Sequence, residues 1–172
     1  LNDRGLPLSD ADIFKAQIYK HLDKSKTAEF IKSWQNLEED SKNANESIQS
    51  LFYYYMFYLR AKEGDSDSTT PGVRKFFFAN NKSRLLDDNL LENLKLILNM
   101  WKIVNNRVII DEEKWSEDRD ILKSLDILKS YPNEFWKYPV VSYYLTHRLE
   151  SDFSDNFTAF LRKLTQELVT HY

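Results

Sequence analysis

Residues 45–62 read NESIQSLFYYYMFYLRAK. Ile48, Leu51, Phe52, Tyr55 and Leu59 recur at i, i+3, i+4, i+7 and i+11, the spacing of one face of an α-helix. Tyr53, Tyr54, Phe57 and Tyr58 cover its other sides. A helix apolar all round is buried and central. Its tyrosine hydroxyls must then find partners inside the protein. The stretch therefore predicts a helical fold assembled around 45–62.

Composition points the same way. Among 172 residues there are only 3 glycines, where an average chain of this length carries roughly 12. Sheets need turns and turns need glycine, so the shortage favours helices. The length suffices for one domain with a real core or for two small helical subdomains, and aromatic residues reach 15%. The net charge of −3 does not mark a dedicated nucleic-acid binder, although a basic patch can sit inside that average. The absence of cysteine excludes a disulfide framework, a thiol nucleophile and a thiolate zinc site. No apolar run approaches the ~20 residues that span a bilayer. No secretory signal is visible, so a cytoplasmic location and no membrane partner are expected.

Outward from the central helix, apolar spacing marks further helices. Ser9, with Asp12 at the third helical position, reads as a capping box, and Leu8 with Ile13 as a hydrophobic staple. Phe14, Ile18 and Leu22 follow on one face. Thr27 is expected to cap a second helix bearing Phe30, Ile31, Trp34 and Leu37, ended by the polar run Glu38–Asn43. EGDSDSTTPG at 63–72 reads as a long polar loop. Thr70 and Pro71 read as cap and first-turn proline of a helix over 71–79 with Val73, Phe76 and Phe77. Leu85 and Leu86 fall in a connecting turn. Asp87 or Asp88 is expected to cap a long helix lined by Leu91, Leu94, Leu98 and Trp101. NRVIID at 106–111 reads as a short extended piece. Ile121, Leu122, Leu125 and Leu128 mark another helix. Two more are expected over about 140–149 and from about 154 onward. The whole is an all-α, irregular bundle of about seven helices.

Few residues carry chemistry. His21, His147 and His171 lie near helix ends and far apart, without metal-ligand spacing. Asp10 with Asp12, Asp87 with Asp88, and Asp111 with Glu112 and Glu113 precede helices, where negative charge caps and solvates. Gly5, Gly64 and Gly72 are isolated, so no phosphate-cradling loop is present. Arg74, Lys75, Lys82 and Arg84 fall in one stretch free of acidic residues, interleaved with Asn80, Asn81 and Ser83. They are candidate contacts to a phosphate backbone, with solvation of the apolar FFF segment as the plainer role.

The opening stretch LNDRGLPLSDADIFK, residues 1–15, resembles a motif of the GmrSD-type restriction nucleases and their relatives. That motif has the form Phe-x-x-Leu-Asn-x-Arg-Gly-x-x-Leu-x-x-x-Asp-x-x-Lys. Leu1, Asn2, Arg4, Gly5, Leu8, Asp12 and Lys15 fit it. The helical pattern of FYYYMFYLRAKEGDSDSTTPGVRKFFF and LLENLKLILNMWK is also similar to that family.

The resemblance implies three parts: a ParB-like N-terminal domain handling a nucleoside triphosphate, a helical middle region, and an HNH-type nuclease domain acting on DNA with a divalent metal. The family's Asp-Gly-Gln-Gln-Arg motif and its His…Asn-His pair are absent from this chain. The resemblance therefore implies a middle region of a restriction-type, phage-defence nuclease. Residues 1–8 would be the tail of the ParB-like domain, and 9–172 the helical domain. Asn2, Arg4 and Gly5 would border the nucleotide pocket, and no catalytic residue, metal ligand or cofactor would belong to this part. Its partners would be the flanking domains and DNA. An apolar surface made to meet those domains would also favour a homo-oligomer. Two other readings stand beside this one. The first is an independent protein-interaction module, signalled by an exposed aromatic patch. The second is an enzyme using Asp87/Asp88 or Asp111/Glu112, which would require those carboxylates to converge in one pocket.

Overall fold

The computed structural model describes residues 8–171. Among them are eight α-helices, one 3₁₀ helix and no strand, an all-α bundle as expected. The helices are α1 (Asp10–His21), α2 (Lys24–Asn43), α3 (Ile48–Lys62), α4 (Val73–Lys82), α5 (Leu90–Asn106), α6 (Arg119–Lys129), α7 (Lys137–His147) and α8 (Phe153–His171). The 3₁₀ helix covers Lys114–Glu117.

α3 is the centre, packing against α1, α2, α4, α5 and α7. Leu51, Phe52, Tyr54, Tyr55 and Met56 are buried around its circumference. Phe57 is exposed at 40%, and Tyr53, Tyr58 and Leu59 are half-buried. Phe52 is the hub of an aromatic cluster, with ring centroids 4.7 Å from Phe14, 5.2 Å from Phe77 and 6.2 Å from Trp34. Phe52 meets Phe77 edge to face at 84°, a pairing that adds about 0.5–1.5 kcal/mol beyond the area it buries, and the other two rings are tilted against it. A second cluster closes the other end. Trp115 meets Tyr144 at 5.9 Å and Phe157 at 5.6 Å, joining the 3₁₀ helix to α7 and α8.

Local starts and stops depart from expectation where tertiary contacts intervene. The Ser9 hydroxyl accepts from the Asp12 backbone N–H at 3.1 Å and donates to the Asp12 carboxylate at 2.9 Å. Leu8, however, stays 61% exposed, so no staple buries it. α2 starts after Asp23 rather than at Thr27, whose hydroxyl donates to the Lys24 carbonyl inside the first turn. α2 also runs on through Glu38–Asn43. Within that run Ser41, fully buried one turn after Leu37, donates its hydroxyl to the Leu37 carbonyl at 2.6 Å. α3 is capped by Ser47 in a reciprocal box with Ser50, so the helix starts at Ile48, three residues after Asn45. α4 is preceded by Gly72 rather than capped by Thr70, and α5 by Asn89 rather than by an aspartate. α7 begins at Lys137 and carries Pro139 in its first turn, where proline costs no hydrogen bond.

One segment is strained. After Phe78 the chain leaves the right-handed helix, and Asn80, Asn81 and Lys82 take φ of 54°, 56° and 61°. Three successive non-glycine residues with left-handed φ cost on the order of 1 kcal/mol each, least for asparagine. The turn drops Leu85 into the core at 1% exposure and places Arg84 back over α4.

Candidate functional site

The basic segment is not a free row of cations. Arg74 Nε donates to Asp10 Oδ1 at 2.9 Å. Arg84 forks onto Glu63, with Nε to Oε2 at 2.9 Å and Nη2 to Oε1 at 2.7 Å. It also donates to the Phe76 carbonyl at 2.9 Å and stacks over the Phe76 ring at 3.9 Å. The Glu63 hydrogen bond and charge raise the guanidinium pKa above its ordinary value, despite partial burial. Lys82 lies over Phe78 at 5.1 Å. Lys75 is exposed. Among the described residues neither lysine has an acidic partner. The stretch holds no acid of its own, but folding delivers Asp10 from 64 residues away and Glu63 from 21. Asn2, Arg4 and Gly5 lie outside the described residues.

The histidines and carboxylates take separate places. His21 donates from Nδ1 to the Gln17 carbonyl at 2.9 Å, at the end of α1. His147 pairs with Glu150 at 2.7 Å, at the end of α7. The side chain of His171 lies outside the description. Asp87 accepts from the Asn89 backbone N–H at 2.7 Å before α5, whereas Asp111 and Glu112 stand in the turn before the 3₁₀ helix. The two pairs do not converge. Among the described residues no group of three His, Asp or Glu side chains is arranged to hold a metal ion. No described helix is long and apolar enough to cross a membrane.

Glu113 is the largest departure. It was expected to cap and solvate, yet it is buried at 7% exposure. Its carboxylate accepts from the Trp115 indole N–H at 2.6 Å and from the Tyr144 hydroxyl at 2.7 Å. Burial, and then the Glu113 charge and hydrogen bond, hold the Tyr144 pKa far above the usual tyrosine value. The one signal in sequence was Trp115 within a polar run, since a buried indole N–H seeks an acceptor.

Glu46 builds a second buried node. Its side chain is 3% exposed and meets Lys137 Nζ at 2.9 Å. It also accepts from the Tyr54 hydroxyl at 2.9 Å and the Ser50 hydroxyl at 2.8 Å. Burial, followed by the Glu46 charge and hydrogen bond, raises the Tyr54 pKa strongly. Burial alone would lower the Lys137 pKa, but hydrogen bonds to Glu134 and Glu46 outweigh it and raise it. The two most buried hydroxyls of the central helix thus find partners, Tyr54 in Glu46 and Tyr55 by accepting from Asn93 Nδ2 at 2.9 Å, whereas the hydroxyls of the half-buried Tyr53 and Tyr58 have none among the described residues.

These tyrosines set an alkaline limit. Their folded pKa values exceed the unfolded value of 10.0. The resulting stability is fully present below that pH and is lost as pH rises through the folded values. Tyrosinate absorbance should therefore rise in two stages, with Tyr54 and Tyr144 ionising only as the helical circular dichroism disappears. A single smooth titration near pH 10, with helices intact, would contradict the burial of these hydroxyls.

A groove of about 680 Å³ runs between α1, α2 and the segment 85–91. Ile18, Leu22, Phe30, Leu86 and Leu91 line it, with Lys26, Glu29, Asp87 and Asp88 at its polar edges. The α3–α7 contact leaves aromatic surface open. Phe57 meets the half-buried Tyr138 at 5.7 Å, and Phe135, three residues before Tyr138, is 77% exposed. No protein-family model matches the chain, and neither a curated protein nor a solved structure is significantly similar to it.

Proposed function

We propose that this chain is a non-catalytic helical coupling domain of a nucleoside-triphosphate-dependent, restriction-type DNA nuclease acting in phage defence in the cytoplasm. The observation supporting a coupling role is the pair of buried carboxylate nodes. Glu46–Lys137 joins residues 91 apart, and Glu113–Tyr144 joins residues 31 apart. Such satisfied polar nodes fix one relative placement of the helices they connect. A body held in one arrangement passes a displacement from one end to the other, which loosely packed helices do not. The resemblance of LNDRG and the helices after it supplies the nature of the parts being coupled. Asn2, Arg4 and Gly5 would face the triphosphate side, and the metal-dependent cutting site would lie in another domain.

The test starts with the parent gene. An Asp-Gly-Gln-Gln-Arg-like motif upstream and a His…Asn-His motif downstream are expected, followed by triphosphate-dependent DNA cleavage by the whole protein. Flanks without either motif would remove this reading.

The DNA-facing surface has its own test. Arg74 and Arg84 are held by Asp10 and Glu63, so reversing them would disturb folding as well as binding. Lys75→Glu with Lys82→Glu leaves those ion pairs alone. In the whole protein this pair should weaken DNA retention and lower the salt dependence by about 1 for each lysine lost. Retention and salt slope equal to the parent's would exclude both lysines from the interface.

The second reading, a protein-interaction module, is favoured by the open Phe57, Tyr138 and Phe135 surface. Exposed aromatic side chains of this kind are the usual anchors of protein interfaces.

A further inference from the structure

The groove between α1, α2 and residues 85–91 has features that the buried nodes and the basic segment do not explain. On α2, Lys26, Glu29, Phe30 and Ser33 line it, a run of about two helical turns along one face. Ile18 and Leu22, one turn apart at the end of α1, form one wall. Leu86 and Leu91 form the other and are only partly covered by the protein's own core. A trough two turns long with apolar walls matches the apolar stripe of a helix, read as anchors at i, i+3 or i+4, and i+7.

Its edges carry uneven charge. Asp87, Asp88 and Glu29 stand against Lys26 alone. The Asp87 carboxylate accepts one backbone N–H, and Asp88 and Glu29 are exposed, with no ion pair among the described residues. Asp10, Glu46, Glu63, Asp65 and Asp126, by contrast, each hold a cation of this chain. His21 Nδ1–H is committed to the Gln17 carbonyl. Carboxylates around an apolar floor complement a cationic, amphipathic occupant.

We infer that this groove docks an amphipathic helix of a partner protein, one that carries Lys or Arg beside its apolar stripe. The apolar anchors would lie between Leu22, Phe30, Leu86 and Leu91, and the cations would meet Asp87, Asp88 and Glu29. The inference rests on the groove alone and does not depend on which domains flank the chain.

The probe is a set of fluorescein-labelled Leu/Lys amphipathic helical peptides of differing anchor spacing, titrated against the whole 172-residue chain by anisotropy. At least one spacing should bind, and its Leu/Glu counterpart should not. Glu29→Lys with Asp88→Lys changes exposed side chains only, so folding is preserved, and affinity should fall roughly tenfold or more. Leu91→Lys should abolish binding while the far-ultraviolet circular dichroism stays unchanged. Failure of every Leu/Lys peptide to bind would overturn the inference. So would binding indifferent to both groove variants, or equal binding of the Leu/Glu peptides. A dimer in sedimentation that Leu91→Lys dissolves would assign the groove to a second copy of this chain and overturn it equally.

Discussion

Glu113→Ala is expected to cost about 3–5 kcal/mol of stability, with the melting temperature falling by roughly 10 °C. The size follows from what the carboxylate leaves behind. The Trp115 indole N–H and the Tyr144 hydroxyl are carried by side chains 2% and 0% exposed, so water cannot replace the lost acceptor. Each stranded donor costs about 1–3 kcal/mol, and a cavity adds to it. Glu113→Gln keeps one acceptor oxygen and should lose about half as much. Tyr144→Phe removes a donor and leaves the carboxylate one bond to Trp115, so it should fall between the two. Denaturant midpoints for the three variants test this order. A Glu113→Ala protein that melts with the parent would show that the node carries no stability. Because Trp115 also touches Phe157, the loosening should appear first as faster amide exchange in α7 and α8.

Breaking the other node from either side should be nearly as damaging. Lys137→Met leaves the Glu46 carboxylate, 3% exposed, without its cation, and removal of one partner of a buried pair costs about 3–5 kcal/mol. Glu46→Ala leaves the Tyr54 hydroxyl without its acceptor and Lys137 with the exposed Glu134 alone, and belongs in the same range. Replacing both residues should cost less than the sum of the single losses, since neither charge is then left alone. Glu134, which also pairs with Lys137 but is 74% exposed, is the internal control. Glu134→Ala should change stability by less than about 1 kcal/mol, as surface pairs do. If both single variants at 46 and 137 behave like that control, the pair is a surface feature and the coupling argument loses its support. Lys137 also lies 5.1 Å over the Trp101 ring, so its loss would loosen α7 from α5 as well as from the start of α3.

Helix content, the polar loop over 63–72 and the central place of α3 could be read from sequence. Each depends on periodicity or composition within about twenty residues, and local spacing reports which face of a helix is apolar. The shortage of glycine and the runs led by Leu51, Leu94 and Leu125 were enough for an all-α bundle. The demand that the buried tyrosines of α3 find partners was legible too, because a buried hydroxyl must be satisfied wherever it sits.

Only the tertiary structure decided the partners. Arg74 and Arg84 look like open phosphate contacts until Asp10 and Glu63 arrive from distant helices. Glu113 looks like a solvated cap until α7 brings Tyr144 to it. Ser41 looks like part of a solvated polar run until packing buries it and its hydroxyl closes on the Leu37 carbonyl. The groove, too, exists only where α1, α2 and residues 85–91 meet. Burial and charge pairing are properties of neighbours in space. A sequence states what each residue needs, and only the packed chain settles which residue supplies it.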